Sequence, residues 1–251
     1  MVVIRLKGYA IPWDPQSIKQ YATIGLLNFS LSYSLTYSGT QFIYSNVSSL
    51  LWASIPITTA VGAHFFLPGE RLTWLKSGGI LIGFIGVLVI FGGYGFGESP
   101  NMALGMGLVI AAVLAGTWPN IYLKLHPARA NPLVLSGVAA GIGGSATLVA
   151  SLLLEGQKNM AWTPQNIGIL LYLAIVGTVL AWGAFYYLIQ HMEVVKLSLV
   201  GFISPVIAMF MGMLLLGEYL PTTVYLGASL VMLGIFISDA RRYLAILMPK
   251  R

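Results

Sequence analysis

Cysteine is absent from the 251 residues, so disulfides are excluded and nothing in the chain marks its redox compartment. Charge is almost as scarce. Asp, Glu, Lys and Arg make up 8% of the chain, against about 25% in an ordinary soluble domain. No charged residue lies deep inside an apolar run; His64 comes nearest, about one turn from the end of one. Paired acids, a His–acid cluster and an HExxH pattern are also missing, which removes the usual starting points for catalysis or metal binding. His64, His126 and His191 stand in separate turns. No metal and no cofactor are therefore expected. The first twenty residues are polar and proline-broken, so no cleavable signal peptide is expected either.

What is present is apolar length. Hydrophobic residues are 57% of the chain, more than a soluble core of this size can hide. A membrane span needs about 20 apolar residues. Eight such runs can be marked, over 19–40, 44–67, 72–93, 102–124, 131–154, 165–190, 194–216 and 220–238. The breaks between them carry turn chemistry, as in LPGERLTW, HPARANP and GEYLPT. No segment of alternating polarity suggests a barrel, so the expected fold is all-α and integral to a membrane. The net charge of +6 does not point to nucleic acid, because the basic residues sit at the ends of apolar runs. Eight spans put both termini on one side. That side holds twelve of the thirteen Lys and Arg, with Lys158 alone opposite. Cationic residues favour the cytoplasmic side, so both termini are expected there, with a cell-membrane location.

Two stretches of the chain echo each other. Tyr37 matches Tyr186 and Pro56 matches Pro205, each 149 residues apart. Gly69-Glu70 matches Gly217-Glu218, Gly79 matches Gly227 and Gly86 matches Gly234, each 148 apart. Arg71 and Lys76 put the first Gly-Glu turn inside, and the second has no Lys or Arg nearby. Five spans lie between them, and an odd number places the two turns on opposite faces. The repeat is therefore expected to be inverted, an architecture common in secondary transporters.

The pattern of small residues, a mid-helix proline, a Gly-Glu turn and a glycine-spaced helix resembles the EamA repeat of the drug/metabolite transporter superfamily. It is carried by SSLLWASIPITTAVGAHFFLPGERL with SGGILIGFIGVLVI, and by LVGFISPVIAMFMGMLLLGEYL with LGASLVMLGIFI. The resemblance implies ten helices in two halves of five. Against that pattern this chain reads as three plus five, without the first two helices of the first half. The expected organisation is a cytoplasmic segment over 1–18, a first incomplete repeat over 19–95, a second over 102–240 and a basic tail over 241–251. The resemblance also implies that the runs 19–40, 44–67, 165–190 and 194–216 line a central cavity.

Candidate residues follow from polar groups that should avoid lipid. In the first run Tyr33 and Tyr37 stand four apart on one helical face. In the second, Asn46, Ser49, either Trp52 or Ala53, and Pro56 share a stripe, and in the sixth Thr178, Trp182 and Tyr186 do the same. These are the candidate cavity residues, though packing between helices explains such stripes equally well. Aromatic rings and hydroxyls suit an uncharged or zwitterionic organic solute. Pro56 and Pro205 are candidate hinges or static kinks. Trp118 and Asn120, either side of Pro119, are candidates for a gate or a local kink. Lys196 could draw an anion or simply snorkel to the cytoplasmic surface. The expected function is transport of small organic metabolites, by export or facilitated exchange with alternating access. The alternatives are a non-transporting fragment or scaffold of the same fold and, further off, an intramembrane enzyme. The expected partners are a small solute and the lipid bilayer.

Overall fold

The computed structural model describes residues 8–92, 101–154, 163–216 and 222–238. Outside them lie the second Gly-Glu turn at Gly217 and Glu218, Lys158, residues 1–7 and the basic tail 241–251; so do the side chains of Asn46 and Pro205. Every regular element among the described residues is a helix.

Helix α1 covers 15–39 in three parts: α-helical Pro15–Thr23, π-helical Ile24–Ser32 and α-helical Tyr33–Gly39. It starts earlier than its apolar run because Asp14 caps it. The Asp14 carboxylate accepts from the Ser17 amide at 3.2 Å and from its hydroxyl at 2.7 Å, and Pro15 occupies the first helical position. Helix α2 is split into Ser45–Trp52 and Ile55–Phe66. Helix α3 is Trp74–Gly92, α4 is Met102–Leu125 and α5 is Pro132–Leu154. Helix α6 repeats the three-part form of α1, as Pro164–Tyr172, π-helical Leu173–Leu180 and Ala181–His191. Helix α7 comprises Val194–Ser198 and Val200–Leu216, and α8 is Thr222–Ser238. Among the described residues, four stretches are long and apolar enough to cross a membrane: Val47–Phe66, Met102–Leu125, Pro132–Leu153 and Pro164–His191.

Pro56 does not interrupt a continuous helix. The break lies at Ala53 and Ser54, and Pro56 sits in the first turn of the second segment, where no intrahelical donor is lost. Pro119 does lie inside a helix, α4.

Contacts divide the chain into two units. The first is Met1–Ser34 with Trp118–Met192, and the second is Leu35–Thr117 with Glu193–Arg251. In the first, α5 serves both α1 and α6. Gly25 of α1 lies so close to α5 that a Cβ there would stand 2.7 Å from the Ala139 carbonyl oxygen. The Thr147 hydroxyl then donates to the Ser30 hydroxyl at 3.1 Å. Toward α6, the Ser136 hydroxyl donates to the Val179 carbonyl at 2.8 Å.

In the second unit, α3 and α8 pack antiparallel through glycines. Gly79 faces Gly234 and Gly86 faces Gly227, and a Cβ on any of the four would come within 2.5–2.7 Å of the opposite helix. Small residues permit this backbone approach where lipid supplies no hydrophobic drive between helices. Ile90 of α3 lies against Gly227 and Val231 of α8 against Gly86, and both are fully buried.

Candidate functional site

The polar and aromatic residues of the first unit meet where the π-helical parts of α1 and α6 pass into α-helix. A π-helix closes each hydrogen bond over five residues rather than four, which widens the coil. Such stretches are rare and tend to mark functional positions. Tyr186 is fully buried, and Asn28 is 3% exposed. The Asn28 side-chain amide donates to the Tyr186 hydroxyl at 3.4 Å. The Trp182 indole N–H donates to the Tyr33 hydroxyl at 3.2 Å. Phe29 stands edge-on to both Tyr33 and Trp182, with ring centroids 6.0 and 5.5 Å apart. Trp182 in turn meets Phe185 edge-on at 5.3 Å and tilts over Tyr186 at 5.6 Å. These are favourable aromatic geometries. The group is neutral and amphipathic: hydroxyls, an amide and an indole N–H within a wall of rings. It suits a solute with an apolar body and a few polar atoms.

Tyr33 and Trp182 are 149 residues apart, the offset that pairs Tyr37 with Tyr186 and Pro56 with Pro205. The indole–phenol hydrogen bond thus joins two residues separated by that same offset. The π stretches obey that offset too, since Ile24 lies 149 residues before Leu173.

Of the candidate residues, the structure brings together Tyr33, Trp182 and Tyr186. Tyr37 is 70% exposed and Ser49 is exposed as well. Trp52 packs against the apolar cluster of Ile43, Val47 and Val109 in the second unit. The Thr178 hydroxyl donates to the Leu173 carbonyl at 3.0 Å. Asn120 is buried, and Trp118 is partly exposed. Lys196 pairs with Glu193 at 3.1 Å. Phe29 and Phe185 also belong to the aromatic group, as does Asn28, one of the polar residues of the first apolar run. Their sequence signal was helical spacing: Phe29 and Tyr33 stand four apart, and Trp182, Phe185 and Tyr186 are spaced by three and four.

Charged groups gather instead at helix ends. In the first unit Lys124 donates to the Ile189 and Met192 carbonyls at 3.0 and 2.8 Å, capping the C-terminus of α6. In the second unit Gly69 adopts φ +100°, a conformation that favours glycine. The turn aims the buried Glu70 carboxylate at the start of α7, where it accepts from the Val194 amide at 2.8 Å and the Val195 amide at 3.4 Å. Glu193 is ion-paired with both Lys76 and Lys196. Burial pushes its carboxyl up, but hydrogen bonds and charge from the two lysines outweigh burial and hold it below the ordinary range.

The EamA-like transporter family matches residues 2–92 and 103–238 of this chain. An uncharacterized transporter of Bacillus subtilis is 29% identical over 225 residues, spanning 89% of this chain and 76% of its own length. A probable amino-acid metabolite efflux pump of Escherichia coli is 32% identical over 231 residues, spanning 84% of this chain and 76% of its own. A solved crystal structure superposes with a TM-score of 0.81 at 17% identity, over 97% of this chain and 83% of that one, a likeness of fold.

Proposed function

We propose that this chain, which belongs to the EamA-like transporter family, moves small amino-acid-like or amphipathic solutes across the cell membrane, by export or facilitated exchange. Members of the family are multi-pass membrane transporters, and this chain is a membrane transporter of that kind. The substrate class and the mechanism are the proposal. The observation that carries it is the neutral aromatic group of Asn28, Tyr33, Trp182 and Tyr186, in which two residues 149 apart, Tyr33 and Trp182, are hydrogen-bonded. Rings and neutral hydrogen-bonding groups can hold the apolar body and polar atoms of an amino acid without requiring a charged partner. The efflux-pump name of the Escherichia coli relative points to the same class.

The mechanism we propose is alternating access between two inverted repeats, spanning 19–95 and 102–240, with eight crossings and both termini cytoplasmic. The α3–α8 pair supports the inversion. Its contacts Gly79 to Gly234 and Gly86 to Gly227 exchange with each other under the 148-residue offset. Reciprocal contacts between antiparallel helices are what a two-fold axis perpendicular to both produces. With both helices crossing the membrane, that axis lies in its plane.

The test is counterflow of radiolabelled neutral amino acids in proteoliposomes of the purified protein. Wild type should exchange at least one of them, and Trp182→Ala and Tyr33→Phe should weaken exchange without loss of folded protein. Exchange unchanged in both variants would remove this group from the transport path, and no exchange of any amino acid would remove the substrate class.

A further inference from the structure

In an α-helix a serine or threonine hydroxyl reaches a carbonyl three or four residues back. Thr117 reaches Val113 and Ser229 reaches Tyr225 in this way, at 2.8 and 2.9 Å. Thr178 is different: its hydroxyl donates to the carbonyl of Leu173, five residues back, at 3.0 Å. The bond lies wholly within the π-helical part of α6, Leu173–Leu180. It joins the two residues that the wider coil brings together. An α-helical coil would pair the Leu173 carbonyl with the residue-177 amide and carry the Thr178 hydroxyl past it.

The next α-helical segment begins at Ala181 and carries Trp182 and Tyr186. Tightening one π turn into an α turn removes one residue from the coil. That turns everything beyond it by about 100° about the helix axis. Trp182 would swing away from the Tyr33 hydroxyl, and Tyr186 away from Asn28. The wide coil is no isolated accident, since α1 carries one at the equivalent place.

We propose that Thr178 is a positioning residue: its hydroxyl holds α6 in the π register and so aims Trp182 and Tyr186 at Tyr33 and Asn28. The inference rests on reading that aromatic group as the solute site, and it reassigns Thr178 from the lining of the cavity to the frame behind it. A hydroxyl-bearing side chain is required there, whereas its methyl group is not.

The test compares Thr178→Val, which keeps the shape and removes the hydroxyl, with Thr178→Ser, which keeps the hydroxyl. The first readout needs no substrate. In a variant retaining Trp182 and replacing the other five of the six tryptophans by phenylalanine, the emission maximum and acrylamide quenching of Trp182 report its setting. T178V should shift both, and T178S should match the parent. The second readout is counterflow of the labelled amino acid that the parent exchanges best. T178V should raise the half-saturating concentration by about fivefold, the weight of one ordinary hydrogen bond, and T178S should restore it. In a Trp182→Phe background T178V should add less than it does alone, because part of its effect runs through Trp182. Unchanged emission in T178V overturns the inference. So does T178S behaving like T178V, because packing rather than the hydroxyl would then matter. If T178V shifts the emission while Trp182→Phe leaves exchange untouched, the register role stands and the solute-site reading falls.

Discussion

Glu193 shows how a single residue can be read against pH. Its carboxyl is held below the ordinary value of 4.5 by Lys76 and Lys196, which outweigh burial. A depressed folded-state pKa stabilises the fold above the unfolded value, and that stability is lost as pH falls through the folded one. Solvent reaches the pair, so its weight is small. Lys76→Met should cost under about 1 kcal/mol near neutral pH. The gap to wild type should close as pH falls through the depressed folded-state value, below 4.5, as the carboxyl is protonated. Thermal unfolding in detergent across that range tests this, and a pH-independent gap would show that Lys76 acts by packing. Glu70 is the stronger anchor because it is buried and accepts from two amides at the start of α7. Glu70→Ala should cost about 1–2 kcal/mol. Glu70→Gln should cost less, since an amide oxygen still accepts. Equal losses in the two variants would argue against the cap.

At the scale of elements, adjacent glycines of α3 make opposite predictions. A Cβ on Gly79 would stand 2.5 Å from the Gly234 carbonyl oxygen, while one on Gly78 would meet nothing within 4 Å. Gly79→Ala should therefore destabilise by about 1–3 kcal/mol, as overpacking does. Gly78→Ala should be neutral or stabilise by up to about 1 kcal/mol through helix propensity. Thermal unfolding of the two variants, with similar values sinking the argument, decides it. The glycine spacing behind this seam was legible in the sequence because Gly79, Gly86, Gly227 and Gly234 recur at matched offsets. The existence of the helices was legible too, because lipid demands long apolar runs and the turns between them carry Gly, Pro and charge. The π stretches were not, because a register of five leaves no mark in composition, and the apolar stripe of Leu173–Leu180 reads equally well as α-helix. The start of α1 was missed by four residues because Asp14 and Pro15 form a cap outside the apolar run. The candidate site was half legible for the same reasons. Tyr33, Trp182 and Tyr186 stood out as polar aromatics in apolar runs, but periodicity alone could not separate Tyr33, which meets Trp182, from the exposed Tyr37.

For the whole molecule, the sharpest consequence of the proposed inversion is topological. The two Gly-Glu turns should face opposite sides of the membrane. The chain's lack of cysteine makes this directly measurable, because any introduced cysteine is the only thiol. Arg71 directly follows the first turn, and Thr222, which opens α8, lies shortly after the second; both are exposed. A membrane-impermeant maleimide applied to intact cells should label T222C. R71C should be labelled only after permeabilisation, since Arg71 and Lys76 favour the cytoplasmic side. Labelling of both from the same side would mean an even number of crossings between the turns. The repeats would then be parallel, and the reciprocal glycine contacts of α3 and α8 would need an explanation other than a two-fold axis in the membrane plane.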